Sequence, residues 1–333
     1  MTLKDDPTPA IDNSGDVITP VSGQGGGLAD IELIREEVTS RDGGGRNISR
    51  GKLVLRRLLR KKLAMFGLFM LVVEILLAFL GPLFSKWGVT SIDFNNLGGS
   101  PPGGSHFWGT DRNGHDVFVQ TMSGAQKSLF VGLIAAVLST FIAAVVGSAA
   151  GYFGKAVDNA LMWFVNMMMI VPAFLILAII SPRLKDNSFL IFTILLAAFQ
   201  WMLTARVVRG LTYSLREREF VSAAKFMGVP AWRIITRHIL PNMASLLIVD
   251  VTVNVSATIL AETGLSYFGF GVQPPNVSLG TLIGEATSSA APTYQSWQWL
   301  YPGLMLIALV LAVNFVGDGL RDAVDATSTS DGD

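Results

Sequence analysis

From Leu63 onward the chain reads as a succession of apolar stretches separated by polar intervals. Each stretch is close to ~20 residues, the length that a helix rising ~1.5 Å per residue needs to cross ~30 Å of hydrocarbon. Six occur, over residues 63–84, 128–151, 159–181, 188–206, 243–262 and 299–317. A helix is the open-ended structure whose backbone hydrogen bonds close inside lipid, so the expected fold class is an all-α integral membrane protein with six transmembrane helices. Only the link Ser181 to Asn187 parts the third helix from the fourth. In the second, Ala135, Ser139, Ala143, Gly147 and Gly151 place a small residue at every fourth position, a smooth stripe along which another helix backbone approaches closely.

Residues 1–50 have a different character. Eight glycines and nine acidic residues, with few large apolar side chains, cannot bury enough surface to offset the entropy of ordering, and the segment reads as a disordered tail. Within it Leu28, Ile31, Ile34 and Val38 fall at helical spacing. The short helix they allow carries Asp30, Glu32, Glu36 and Glu37, a face unsuited to anionic lipid. The transmembrane domain then covers 51–325, followed by a tail at 326–333.

Charge orients this domain. Half of the 333 residues are apolar and only 15% are charged, and the net charge is zero. Seven of the 25 Lys and Arg nevertheless lie between Arg50 and Lys62, and seven more between Arg206 and Arg237. Basic residues stay on the cytoplasmic side. Both termini and the 207–242 loop are therefore expected inside, and the 263–298 loop, which has no Lys or Arg, outside. Arg183 and Lys185 run against this scheme, on the expected outer side. The expected location is the cell membrane, as a multi-pass protein, and topology suffices to explain the Arg50–Lys62 cluster.

Several chemistries are excluded. Without cysteine there is no disulfide, thiol nucleophile or zinc-thiolate site, and His106, His115 and His238 are widely separated. No phosphate-binding Gly-x-x-x-x-Gly-Lys-Ser/Thr loop occurs: Gly51-Lys52 has Arg46 where the first glycine belongs and Leu53 where the hydroxyl belongs. No nucleophile elbow or His-Glu-x-x-His helix is present. The chain is thus read as neither an ATPase nor another enzyme.

Polar residues inside the apolar stretches cost on the order of 2.5–3.5 kcal/mol when charged and mark sites worth locating. Asp250 and Asn254, one turn apart on the fifth helix, either line a translocation path or form a pair buried between helices. Glu74, Asn166, Gln200 and Asn314 read as hydrogen-bonding glue between helices.

The 207–242 loop is the most informative segment. It reads as two short helices, the first passing through Ala223 and Ala224 and stopping at Gly228, with Pro230 in the first turn of the second. Pro241 is expected to end that second helix before the membrane. Paired alanines on a charged hairpin suit a knob inserted into another protein. The spacing of Ala223, Ala224, Gly228, Leu240 and Pro241 resembles the coupling loop of ABC importer permeases: Glu-Ala-Ala, three residues, Gly, nine residues, Ile-x-Leu-Pro. Ser222 stands where that pattern has Glu, and His238 where it has Ile; Glu219, one turn earlier, offers a replacement charge.

The runs Trp108–Val117, Gly124–Leu129, Gly264–Pro275 and Gly317–Asp322 are similar to the C-type permeases of the dipeptide, oligopeptide and nickel family, with His115 in place of a usual Arg. The resemblance covers about 50–325. It implies a type I-like importer fold and alternating access driven by ATP. It further implies a homologous B-type permease as partner, two ATPase subunits that hold ATP and Mg, and an extracytoplasmic binding protein. This chain itself is then expected to hold no cofactor and to contact lipid but no nucleic acid. Short peptides are the implied cargo, with nickel, glutathione or haem as alternatives within the class. A gradient-driven secondary transporter is the rival from another class, disfavoured because only one intramembrane Asp–Asn pair and no internal repeat is seen. The 264–284 segment reads either as a docking or gating element or as a glycine-rich turn.

Overall fold

Long apolar runs separated by charged intervals leave the backbone one solution in lipid, and the computed structural model adopts it. It describes residues 50–184, 188–288 and 295–328. The chain divides into two units, Met1–Lys52 and Leu53–Asp333. The tail expected at 1–50 and its short helix lie outside the described residues, apart from Arg50.

Helix α1 (Arg50–Arg60) leads into α2 (Lys62–Leu80), which a 3-10 turn prolongs to Phe84. A loop of tight turns follows, then α3 (Val117–Phe153), α4 (Lys155–Ile170), α5 (Ala173–Ile180) and α6 (Ser188–Arg216). A hairpin of α7 (Glu219–Phe226) and α8 (Ala231–Ile234) precedes α9 (Ala244–Tyr267). Helices α10 (Leu279–Ser288) and α11 (Trp297–Ser328) complete the described chain, so helix continues past the 325 boundary expected from sequence.

Five spans are continuous helices long and apolar enough to cross a membrane, and the bent pair of α4 with α5 makes a sixth if the two helices form one span. The single helix expected at 159–181 is corrected here: it bends by 69°. Pro172 has no N–H to donate, and it pushes Val171 into extended backbone (φ −71°, ψ 122°). Helix α3 begins well before the expected residue 128. Asp116 caps it, its carboxylate accepting the Val119 N–H at 2.9 Å. Its 37 residues reach about 55 Å, well beyond the hydrocarbon thickness.

The small-residue stripe of α3 meets α6. A Cβ on Gly147 would lie 2.5 Å from the Ala205 carbonyl oxygen, and one on Gly151 would lie 2.6 Å from Thr212 Cβ. Gly147→Val is therefore expected to destabilise the bundle by about 1–3 kcal/mol through overpacking, read as a lower melting temperature in detergent. An unchanged melting temperature would contradict this packing.

At one end of the bundle, α1, the start of α2, the ends of α3, α6 and α11, and the α7–α8 hairpin lie together. Lys61 pairs with Asp322 there at 3.0 Å, and Arg216 donates to the Gly151 and Tyr152 carbonyls. This is called the hairpin end. At the opposite end the 85–116 loop folds into a cap. Buried His106 places Nδ1 2.8 Å from Asp116 and Nε2 3.1 Å from Asp93, while Trp87 stacks on its ring. The Trp108–Val117 run serves the same cap: Asp111 accepts the Asn113 and His115 N–H groups, and Trp108 stacks on Tyr301 of α11. Hydrogen bonds from Asn96, then His106, hold the Asp93 carboxyl below its usual value of 3.8. Their contribution is complete above that value and is lost as pH falls through the depressed one.

Candidate functional site

The hairpin's geometry follows from its sequence. Glu219 opens α7, an acid at the positive end of the helix dipole. Gly228 closes it with φ +74°: its N–H donates to the Lys225 carbonyl at 3.0 Å, and the Val229 N–H to the Ala224 carbonyl at 3.1 Å. This paired closure needs a left-handed residue, which glycine supplies without strain. Pro230 is the N-cap of α8 rather than a residue of its first turn. Pro241 does not end the second helix, as sequence suggested. The chain passes through a π turn (Ile235–Ile239) and a 3-10 turn (Leu240–Met243), then runs on as α9. These altered turns accommodate the N–H that proline lacks.

The two alanines divide between faces. Ala224, 2% exposed, packs with Val221, Ile234, Ile239, Met243 and Val208 in the hairpin's own core, and half-buried Leu240 leans on that core. Ala223 and Glu219 face outward, Ser222 is half-buried, and Pro241 is exposed. The outward knob is therefore made by larger side chains: Phe226, Met227 and Trp232 are 92%, 76% and 63% exposed. Sequence spacing located the hairpin and missed this tip, although Phe226 and Met227 directly precede the helix-stopping Gly228.

Asp250 and Asn254 are brought together with two further helices. Asp250 Oδ2 accepts from Thr140 of α3 at 2.7 Å and from Asn254 at 2.9 Å, and Oδ1 accepts from Thr204 of α6 at 2.9 Å. Asp250 also borders a cavity of about 750 Å³ at the hairpin end. Of the other intramembrane polar residues, Gln200 accepts from Thr258 and Asn166 from Arg206, as interhelical glue should. Asn314 instead lies exposed, and Glu74, 6% exposed, has no hydrogen-bond partner for either carboxylate oxygen among the described residues. Replacing Glu74 by Met is expected to raise stability by about 1–3 kcal/mol, because an unsatisfied buried acid is removed. A lower melting temperature for this variant would show that Glu74 is satisfied in the folded protein.

Two buried carboxylates had no sequence signal. Asp158 on α4 takes a bidentate pair from Arg209 of α6 and a hydrogen bond from Tyr213 at 2.8 Å. Glu262 on α9 is 0% exposed and accepts from Ser128 at 3.0 Å and Ser266 at 2.6 Å. The glycine-rich segment after Tyr267 folds back over this point, and α10 packs on α9, α11 and α3.

A bundle of five or six membrane-crossing helices with a folded helical hairpin at one end, and no strand in the described residues, defines a polytopic membrane protein. Residues 143–329 match the family described as binding-protein-dependent transport system inner membrane component. Residues 49–102 match the N-terminal TM domain of oligopeptide transport permease C. The oligopeptide transport system permease protein OppC of Mycobacterium tuberculosis is 48% identical over 283 residues, which is 85% of this chain and 96% of the relative. A putative peptide permease protein of Brucella suis is 37% identical over 269 residues, 81% of this chain and 88% of its own length. The OppC protein of Bacillus subtilis is 35% identical over 280 residues, 84% of this chain and 90% of the relative. The chain belongs to the binding-protein-dependent transport system inner membrane component family, and it is a non-catalytic membrane subunit of an ABC importer.

Proposed function

We propose that this chain is the C-type permease of an importer of short peptides, with its hairpin as the contact through which ATPase subunits drive it. The observation that carries this reading is the hairpin tip. A two-helix unit with its own buried core turns Phe226, Met227 and Trp232 outward, a rigid apolar knob of the kind that anchors protein interfaces. Arg56, Arg57, Arg60, Arg216, Arg218 and Arg233 share its end of the bundle, which favours a cytoplasmic hairpin and cytoplasmic termini. A homologous B-type permease completes the pathway, two ATPases hold ATP and Mg on the hairpin side, and a binding protein delivers cargo to the capped end. Asp250 and Asn254 border the pathway where α3, α6 and α9 meet. Peptide is favoured over nickel, glutathione or haem because the relatives above are named for oligopeptide or peptide transport.

The test is uptake. Deleting the gene in an amino-acid auxotroph should abolish growth on a tripeptide supplying that amino acid, while growth on the free amino acid persists. Normal growth on tripeptides, with loss of nickel, glutathione or haem accumulation instead, would replace the cargo.

A further inference from the structure

Helix α1 is divided lengthwise into three faces. Residues four apart share a helix face, and each step along the chain turns that face by about 100°. Val54 and Leu58 are half-buried, and Leu58 leans on α11, its Cδ1 3.2 Å from where a Cβ on Gly319 would stand. Leu55 and Leu59, on the next face round, are 54% and 52% exposed. Arg56 and Arg60, one face further, are exposed as well. Arg57 is half-buried, with no hydrogen-bond partner for Nη1 among the described residues. None of these three arginines has an ion pair among the described residues, and Asp322 at the end of α11 is taken by Lys61.

Topology accounts for arginines anywhere ahead of the first span, but it does not explain why exposed leucines lie beside them. Water disfavours bare Leu55 and Leu59, and hydrocarbon disfavours Arg56 and Arg60. The boundary between the two suits both, and α1 adjoins it. Only Lys61, in extended backbone (φ −81°, ψ 107°), parts it from the membrane span that starts at Lys62. The exposed apolar surface carries on into that span at Leu63 and Phe66. We propose that α1 is an interfacial anchor that binds acidic phospholipid on the hairpin side of the membrane, with its leucines among the acyl carbons nearest the headgroups and its arginines on the phosphates. The acidic headgroup supplies the counter-charge that the three arginines lack within the chain. Because Leu58 leans on α11 and Lys61 holds Asp322, lipid bound to α1 also steadies the end of α11. The inference goes beyond the peptide-importer reading and does not depend on the cargo.

Two measurements on the assembled transporter test it. The first is binding of a fluorescent phosphatidylglycerol to the delipidated complex in detergent. A basic group near an acidic leaflet is worth about fivefold in association, so Arg56→Gln/Arg60→Gln should weaken binding about tenfold or more. Unlabelled phosphatidylglycerol should compete, whereas phosphatidylcholine and inorganic phosphate should not. The second reads where α1 lies in the native fold. The chain has no cysteine, so Leu59→Cys gives one site for a spin label once the partner subunits are free of cysteine too. In vesicles of phosphatidylcholine and phosphatidylglycerol, a label at 59 should be open to oxygen and closed to a water-soluble nickel chelate, while a label placed by Arg56→Cys should meet the chelate. Equal binding by the native chain and the double variant overturns the proposal, as does competition by phosphatidylcholine or by inorganic phosphate as strong as that by phosphatidylglycerol. A label at 59 that the chelate reaches overturns it as well, because the helix then lies in water. One closed to both reagents does the same, because a protein surface, an ATPase or residues 1–49 of this chain, then covers the leucines.

Discussion

Replacing Met227 by Asp, alone or together with Phe226→Asp, is expected to lower binding-protein-stimulated ATP hydrolysis about a hundredfold while the bundle stays folded. The size follows from interface anchors, whose loss costs ~2–4 kcal/mol, at 1.4 kcal/mol per decade. The specificity follows from burial. Phe226, the last residue of α7, and Met227, its C-cap, are 92% and 76% exposed, outside the core that holds the hairpin together. A charge there meets water in the isolated chain and meets the partner's apolar surface only in the assembly. Ala224→Asp gives the contrast. Ala224 is 2% exposed against Val221 and Ile234, so that variant should collapse the hairpin and lower the melting temperature as well as the turnover. Turnover unchanged in Met227→Asp/Phe226→Asp would show that the tip is not the contact.

The second large effect is on folding. Asp158→Ala is expected to cost about 3 kcal/mol, the lower part of the range for breaking a buried ion pair. The lower figure applies because the Arg209 side chain keeps 35% exposure while Asp158 has 6%. The variant strands the guanidinium, removes the acceptor of the Tyr213 hydroxyl and unties α4 from α6 next to the hairpin root. Removing both charges in Asp158→Ala/Arg209→Met should recover part of the loss, since no unpaired cation then remains. Melting curves in detergent measure both variants, and a single variant as stable as the parent would mean that the pair contributes nothing.

What could be read in the sequence was what repeats along one helix. Six apolar runs, the small stripe from Ala135 to Gly151 and the helix stop at Gly228 are local patterns, and the structure has a long helix at five of those runs, a bent pair at the third, the close α3–α6 approach and the hairpin closure where those patterns lie. Contacts between distant segments left no such trace. Asp158 and Arg209 are 51 residues apart, and Ser128 and Glu262 are 134 apart, so no local periodicity joins either pair. The break at Val171 had a local signal in Pro172, but the apolar residues on both sides concealed it. Ala224 turned inward because residues three apart share a helix face, which sets it beside Val221 in the core and leaves Ala223 outside. The paired alanines lie on a folded hairpin, and only packing showed which side chains that hairpin presents.

The most direct test of the central claim is ATP hydrolysis by the assembled transporter in lipid, measured with binding protein either empty or loaded with tri-alanine, for the native chain and for Met227→Asp. Stimulation by the loaded protein is expected with the native chain, and its loss with the variant, at equal assembly. Stimulation that survives Met227→Asp would contradict the claim that this hairpin tip carries the drive from ATPase to permease.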